Sequence, residues 1–311
     1  MRRRNRSTIQ VGRRLRNNWG LLLLLLPTFL YFIIFNYVPM YGILIAFKDY
    51  EPGLGILASP WTDNNGLKHF INFFSSHNFT EIVGNTLKLS LYTLLVATPT
   101  AIIFALLINY IKNNRFKKVV QTVTYAPHFI STVVLVGMLY LLLAPSTGLI
   151  NRLIVSAGGR NVFFLNSADW FPHVYVWSHV WQHMGWDSIL YIAALTAIDP
   201  QLHEAAIVDG ATKFQRIRYI DLPGIVPTIV IMLILNAGSI MNVGFEKAYL
   251  MQNNFNLGTS EILATYIYKV GLINNQYSLS TAVGLVNSVV NFMMLIVVNS
   301  ISKRLTESSL W

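Results

Sequence analysis

The chain is 311 residues long, 54% hydrophobic and 12% charged, about half the charged content of an ordinary globular domain. It contains no cysteine and 19 glycines, which excludes a disulfide scaffold, zinc-thiolate or iron–sulfur chemistry and a collagen-like fibre. The net charge of +10 comes from 23 basic residues that lie mainly between long apolar runs, the placement expected of a membrane topology rather than of nucleic-acid binding.

Residues 1–18 form an arm carrying Arg2, Arg3, Arg4, Arg6, Arg13, Arg14 and Arg16, read as a cytoplasmic anchor at the anionic lipid leaflet. The apolar run that follows, 19–47, is too long for the core of a secretory signal and lacks a small-x-small cleavage pattern, so it predicts an uncleaved first helix. Further apolar stretches at 84–110, 119–144, 172–198, 223–244 and 278–301 each approach or exceed the roughly 20 residues that span hydrocarbon. The expectation is an all-α polytopic protein whose six transmembrane helices occupy 19–304, followed by a cytoplasmic tail at 305–311.

Orientation follows from lysine and arginine. With the N-terminus inside, 16 basic residues fall on the cytoplasmic side and seven in or beside the outer loops, which places both termini in the cytoplasm. The outer loops, about 48–83, 145–171 and 245–277, are rich in Trp, Tyr, Asn, Gly and Pro, with a short amphipathic helix expected at Ser260–Val270.

The fourth span is the most polar. At 100° per residue Tyr175, His179, Gln182, His183 and Trp186 share one sector with Asp187 at its edge. Ionisable groups in a membrane usually face a bundle interior or a watery cavity, so this stripe predicts a translocation pathway. A sugar would use it well, because its C–H faces stack on aromatic rings while its hydroxyls bond to His, Gln and Asn. Two other readings compete: hydrogen bonds between packed helices, and a metal site, since His179, His183 and Asp187 recur one turn apart. The helix lacks the glutamate of the H-E-x-x-H motif, and neither a metal nor a catalytic group is expected.

Between the fourth and fifth spans, Asp199 followed by Pro200 forms an N-cap with proline at the first helical position, and Gly210 is a left-handed stop. Thr212 and Gln215 make a capping box that opens a second short helix, and Pro223 starts the next span. Both ends of this cytoplasmic hairpin run into membrane helices, so it could not enter a DNA groove. It suits docking to a cytoplasmic partner. In the last two spans, Asn236, Ser239 and Asn242, and Asn287 and Asn291, recur at helical spacing; in hydrocarbon each needs a partner, a neighbouring helix or a hydrated ligand.

Glu204-Ala205-Ala206, Asp209, Gly210 and Ile220-x-Leu222-Pro223 resemble the EAA loop of binding-protein-dependent ABC importer permeases. Pro127–Ser131, Gly185-Trp186, Tyr191–Leu195 and Gly244-Phe245-Glu246 resemble the oligosaccharide and polysaccharide permeases of the carbohydrate-uptake branch. The resemblance runs from about Trp19 to Arg304. It implies a bacterial cytoplasmic-membrane subunit that imports a saccharide by alternating access, paired with a second permease, two cytoplasmic ATPases that bind ATP and Mg, and an extracytoplasmic sugar-binding protein. It also implies that the loop couples to the ATPase, and it favours Asn287 and Asn291 as substrate contacts. The chain itself has no G-x-x-x-x-G-K-[ST] phosphate loop, so it needs no cofactor of its own and is not expected to be an enzyme. Import of a non-sugar solute by the same machinery, or an intramembrane metal-dependent enzyme, are the alternative readings.

Overall fold

The computed structural model describes residues 18–306. The arginine arm before Asn18 and the end of the tail lie outside them. Among the described residues the chain is helical, with a single antiparallel bridge between Lys48 and Trp61.

Four helices are long and apolar enough to cross a membrane: α1 (Trp19–Phe47), α2 (Phe79–Asn109), α7 (Lys213–Ala237) and α10 (Tyr277–Thr306). In α1 the leucines from Leu21 to Leu26 are all exposed, as a surface that meets lipid or another subunit must be when no water is available to drive it inward. Only its C-terminal part, around Tyr41–Phe47, packs on α10.

The third apolar stretch, expected as one span over 119–144, is two helices, α3 (Asn114–Phe129) and α4 (Thr132–Leu143), bent by 99°. The cause is local. Pro127 tightens the end of α3 into a 3-10 turn, Ile130 and Ser131 are extended, and Ser131 Oγ accepts from Val134 N to start α4 afresh. Hydropathy averaged over this region registers one apolar run and not the break, because Pro127, His128 and Ser131 are too few to interrupt it.

Helix α5 (Trp170–Thr196) covers the fourth expected span. It is long enough, at 27 residues, but its polar stripe keeps it from counting as a span on apolarity, so apolar helices alone give four spans, or five with the bent pair. Its main partner is α2. Between them and α4 lies a core of Leu89, Val136, Phe171, Tyr175 and Val176, and a second core at the other end joins α2, α5 and α7 through Ala101, Ala105, Tyr191, Leu195 and Ile225. Gly185 permits the close approach of α5 to α3: a Cβ there would lie 2.6 Å from the backbone carbon of Thr124 and 3.0 Å from the Tyr125 ring.

The hairpin between α5 and α7 contains α6 (Pro200–Val208). Its second element is not a separate helix followed by a span opening at Pro223. It is continuous with α7, through a π turn at Ile217–Asp221 just ahead of Pro223, which has no N–H to donate. The fifth span also ends early, at Ala237 rather than 244, where the chain turns through 238–242. Here Met241 N donates to Asn291 Oδ1 (2.9 Å), so α10 satisfies backbone that the helix has abandoned. Helices α8 (Phe245–Met251) and α9 (Leu263–Ile273) follow; α9 starts three residues after the expected Ser260, because Glu261 and Ile262 are extended.

Candidate functional site

A cavity of about 500 Å³ opens among α2, α5, the α7 terminus and α8, within the size range of sites that enclose small ligands. Tyr175, His179, Gln182, His183 and Asp187 line it from α5, and Asn236, Ser239 and Asn242 from the end of α7 and its turn. Ser90, Thr93 and Thr98 complete the wall from α2. The early end of α7 matters here, because it brings the polar turn carrying Ser239 and Asn242 to the cavity wall where a continuous helix would run past it.

Several lining groups are also held in place. Tyr175 hydroxyl donates to Gly244 O (3.4 Å), and Gln182 Nε2 donates to Ile130 O (2.8 Å), the carbonyl freed by the break between α3 and α4. Gln182 thus ties the cavity wall to that break. His179 and His183 stack with centroids 4.3 Å apart and planes 19° apart. Nearly parallel rings direct their nitrogens within their own planes rather than at one point between them. Among the described residues no group of three or more His, Asp or Glu could hold a metal.

Trp186, Asn287 and Asn291 lie outside the cavity lining. Trp186 is 41% exposed and stacks flat on His128, centroids 4.3 Å apart. Asn287 and Asn291 both donate to Asn242 Oδ1 (2.9 and 3.2 Å), so they bear on the cavity through the orientation of Asn242.

Lys247 is the group that sequence reasoning missed, having been placed among the outer-loop charges. It is buried in α8 and lines the cavity. Its Nζ donates to Tyr175 O (2.9 Å) and lies 4.7 Å from the Tyr175 ring centroid. Burial pushes its ammonium down to about 7. Its only signal in the sequence was its place, with Glu246, inside the largely apolar and aromatic segment Phe245–Met251.

At the opposite end of α5 stands the hairpin. Asp199 Oδ1 accepts from Gln201 N (2.9 Å), Gly210 has φ +80°, and Thr212 exchanges bonds with Gln215. Glu204, Ala205, Asp209 and Gly210 are exposed, Ala206 is half-buried, and Val208 is 86% exposed. Ile220 and Leu222 are half-buried and Pro223 exposed. Below the helix, the buried Asp221 accepts from Tyr110 hydroxyl (2.6 Å), and His203 Nε2 lies 3.3 Å from its other oxygen.

Residues 87–307 match the model of the binding-protein-dependent transport system inner membrane component. The chain belongs to this family. As an inner membrane component it is a transport subunit rather than an enzyme. It is 43% identical to Protein LplB of Bacillus subtilis (strain 168) over 95% of this chain and 92% of that one. It is 44% identical to the polygalacturonan/rhamnogalacturonan transport system permease protein YteP of the same organism, over 94% of this chain and 90% of that one. Among solved structures it resembles a chain of a bacterial ABC transporter involved in the import of the acidic polysaccharide alginate, with 39% identity, a TM-score of 0.88 and coverage of 96% of this chain and 99% of that one. A structure of the alginate transporter in complex with an alginate pentasaccharide-bound periplasmic protein matches equally.

Proposed function

We propose that this inner membrane component forms one half of the translocation path of an ABC importer for oligosaccharides or polysaccharide fragments. The observation that carries the reading is the cavity itself: aromatic, imidazole, amide and hydroxyl groups from α2, α5 and the α7 turn converge on a space large enough for sugar rings, in a helix otherwise surrounded by apolar spans. The names of the polygalacturonan/rhamnogalacturonan and alginate relatives point the same way.

In this reading α5 is a sixth span, both termini are cytoplasmic, and the outer segments receive saccharide from an extracytoplasmic binding protein. A second permease completes the path and two ATPases supply ATP hydrolysis with Mg. Closure of the ATPases would push α6 and, through it, α5 and α7, switching the cavity between its two openings. The exposed Leu202, Ile207 and Val208 give α6 apolar contacts for a partner. The test is uptake of labelled oligosaccharides by proteoliposomes holding the assembled complex. Uptake that requires both internal ATP and the binding protein supports the proposal. A complex that hydrolyses ATP in response to its binding protein but accumulates no saccharide would refute it.

A further inference from the structure

The cavity holds one buried cation with no carboxylate partner. Lys247 lines it, and its Nζ reaches only a backbone carbonyl and the face of the Tyr175 ring. Among the described residues no Asp or Glu lies within ion-pair distance of it. A buried ammonium left in this state is poorly compensated, because a carbonyl and a π face replace only part of its hydration. Such a group is normally paired.

The other charges of the cavity do not pair with it. Asp187 stands twelve residues along α5 from Tyr175, about 18 Å at helical rise, and Glu246, next to Lys247 in the chain, also lines the cavity but is exposed to solvent and makes no ion pair with it. His179 and His183, which lie nearer the lysine, bring no negative charge to it. The Lys247 end of the cavity is therefore the end at which an anion would be favoured, and Ser239 and Asn242 add a hydroxyl and an amide to the same lining.

Resting on the proposed saccharide path, we infer that Lys247 is a specificity-determining residue that pairs with the carboxylate of a uronic acid unit as an acidic oligosaccharide passes through. Burial alone disfavours its charge, and an arriving carboxylate restores it by a charge-assisted hydrogen bond. A neutral sugar brings no such compensation, so the same lysine that attracts a uronate discriminates against its uncharged counterpart.

The test uses the assembled transporter in proteoliposomes with its own binding protein, and the trisaccharides of galacturonate and of mannuronate, each as free acid and as methyl ester. Wild type is compared with Lys247→Met and Lys247→Arg, with complex yield measured for each. The binding protein's own preference cancels in the ratio of variant to wild type. Loss of a hydrogen bond to a charged group predicts that Lys247→Met lowers uptake of the acids about tenfold or more, leaves the esters unchanged or improved, and that Lys247→Arg retains acid preference. Equal effects of Lys247→Met on acid and ester overturn the inference while leaving saccharide import standing. So does wild-type uptake of esters alone. Uptake of none of these sugars by a complex that does accumulate a neutral oligosaccharide overturns the inference while leaving saccharide import standing, and accumulation of no saccharide of either kind overturns both.

Discussion

Gly185 offers a direct test of how α5 is seated. Gly185→Ala adds one methyl group, and that methyl would lie 2.6 Å from the Thr124 backbone carbon and closer still to its oxygen. The obstacle is backbone, so no side-chain rotation relieves it. The two helices would have to part by about 1 Å, a shift that a close-packed interior transmits rather than absorbs. One turn earlier on the same helix, Gln182 holds the Ile130 carbonyl at 2.8 Å, and that bond would stretch with them. Overpacking of this kind costs about 1–3 kcal/mol. Gly84→Ala in α2 is the control, since its Cβ would meet nothing within 4 Å and alanine favours helix by up to about 1 kcal/mol. The assay is thermal unfolding of the purified complex in detergent, followed by saccharide uptake. A clear fall in melting temperature and uptake is expected for Gly185→Ala and none for Gly84→Ala. Equal behaviour of the two variants would refute the close α3–α5 contact.

Gly210→Val forces a β-branched residue to φ +80°, a strain of about 1–2 kcal/mol; substrate-stimulated ATPase should be lost while membrane insertion is retained, as measured on the assembled complex. Asp49 is pushed up by burial, but hydrogen bonds from Lys68 and Thr62 and the charges of Lys68 and His69 outweigh this and hold its carboxyl below the ordinary 3.8. Its stabilising effect is therefore fully present above that value and is lost as pH falls through the lower, folded one; melting curves at descending pH should show Asp49→Asn less acid-sensitive than wild type. The purified complex should hold well under one equivalent of zinc by elemental analysis, and chelator should leave uptake unchanged, because the stacked His179 and His183 rings do not converge on one point. Tyr110→Phe removes the donor to buried Asp221, a loss of about 1.5–3 kcal/mol for a bond to a charged group; a lower melting temperature and weaker coupling of ATPase to uptake are expected.

The parts of this molecule governed by local chemistry were legible in the sequence. Asp199-Pro200, Gly210 and the Thr212–Gln215 box each act within a few residues, and the structure shows the cap, the left-handed stop and the box. The polar stripe of α5 was legible for the same reason, because helical periodicity alone brings Tyr175, His179, Gln182 and His183 to one cavity. What the sequence hid depends on contacts between distant segments. The break after Phe129 is stabilised by Gln182, 52 residues from Ile130, and the early end of α7 by Asn291, 50 residues from Met241. Trp186 belongs to the same helix sector as the stripe, yet His128 captures its face. Lys247 was hidden by the opposite error: a lysine outside the spans is ordinarily a solvated charge, and only the fold carries α8 back against Tyr175.

The junction beneath α6 bears on how the proposed coupling could work. A helix of nine residues attached only by its two flanking loops could tilt without moving anything else. This one is tied more firmly. His203 on α6 faces Asp221 in α7, and Asp221 in turn accepts from Tyr110 at the end of α2. Asp199 caps α6 directly after α5. A displacement of α6 would therefore be felt at the hairpin ends of α2, α5 and α7 together, and these are the three long helices that line the cavity. Buried polar contacts suit such a junction better than apolar packing does, since they lose most of their energy when their geometry slips and so resist partial motion. The helices would then move as a unit, opening or closing the cavity as a whole.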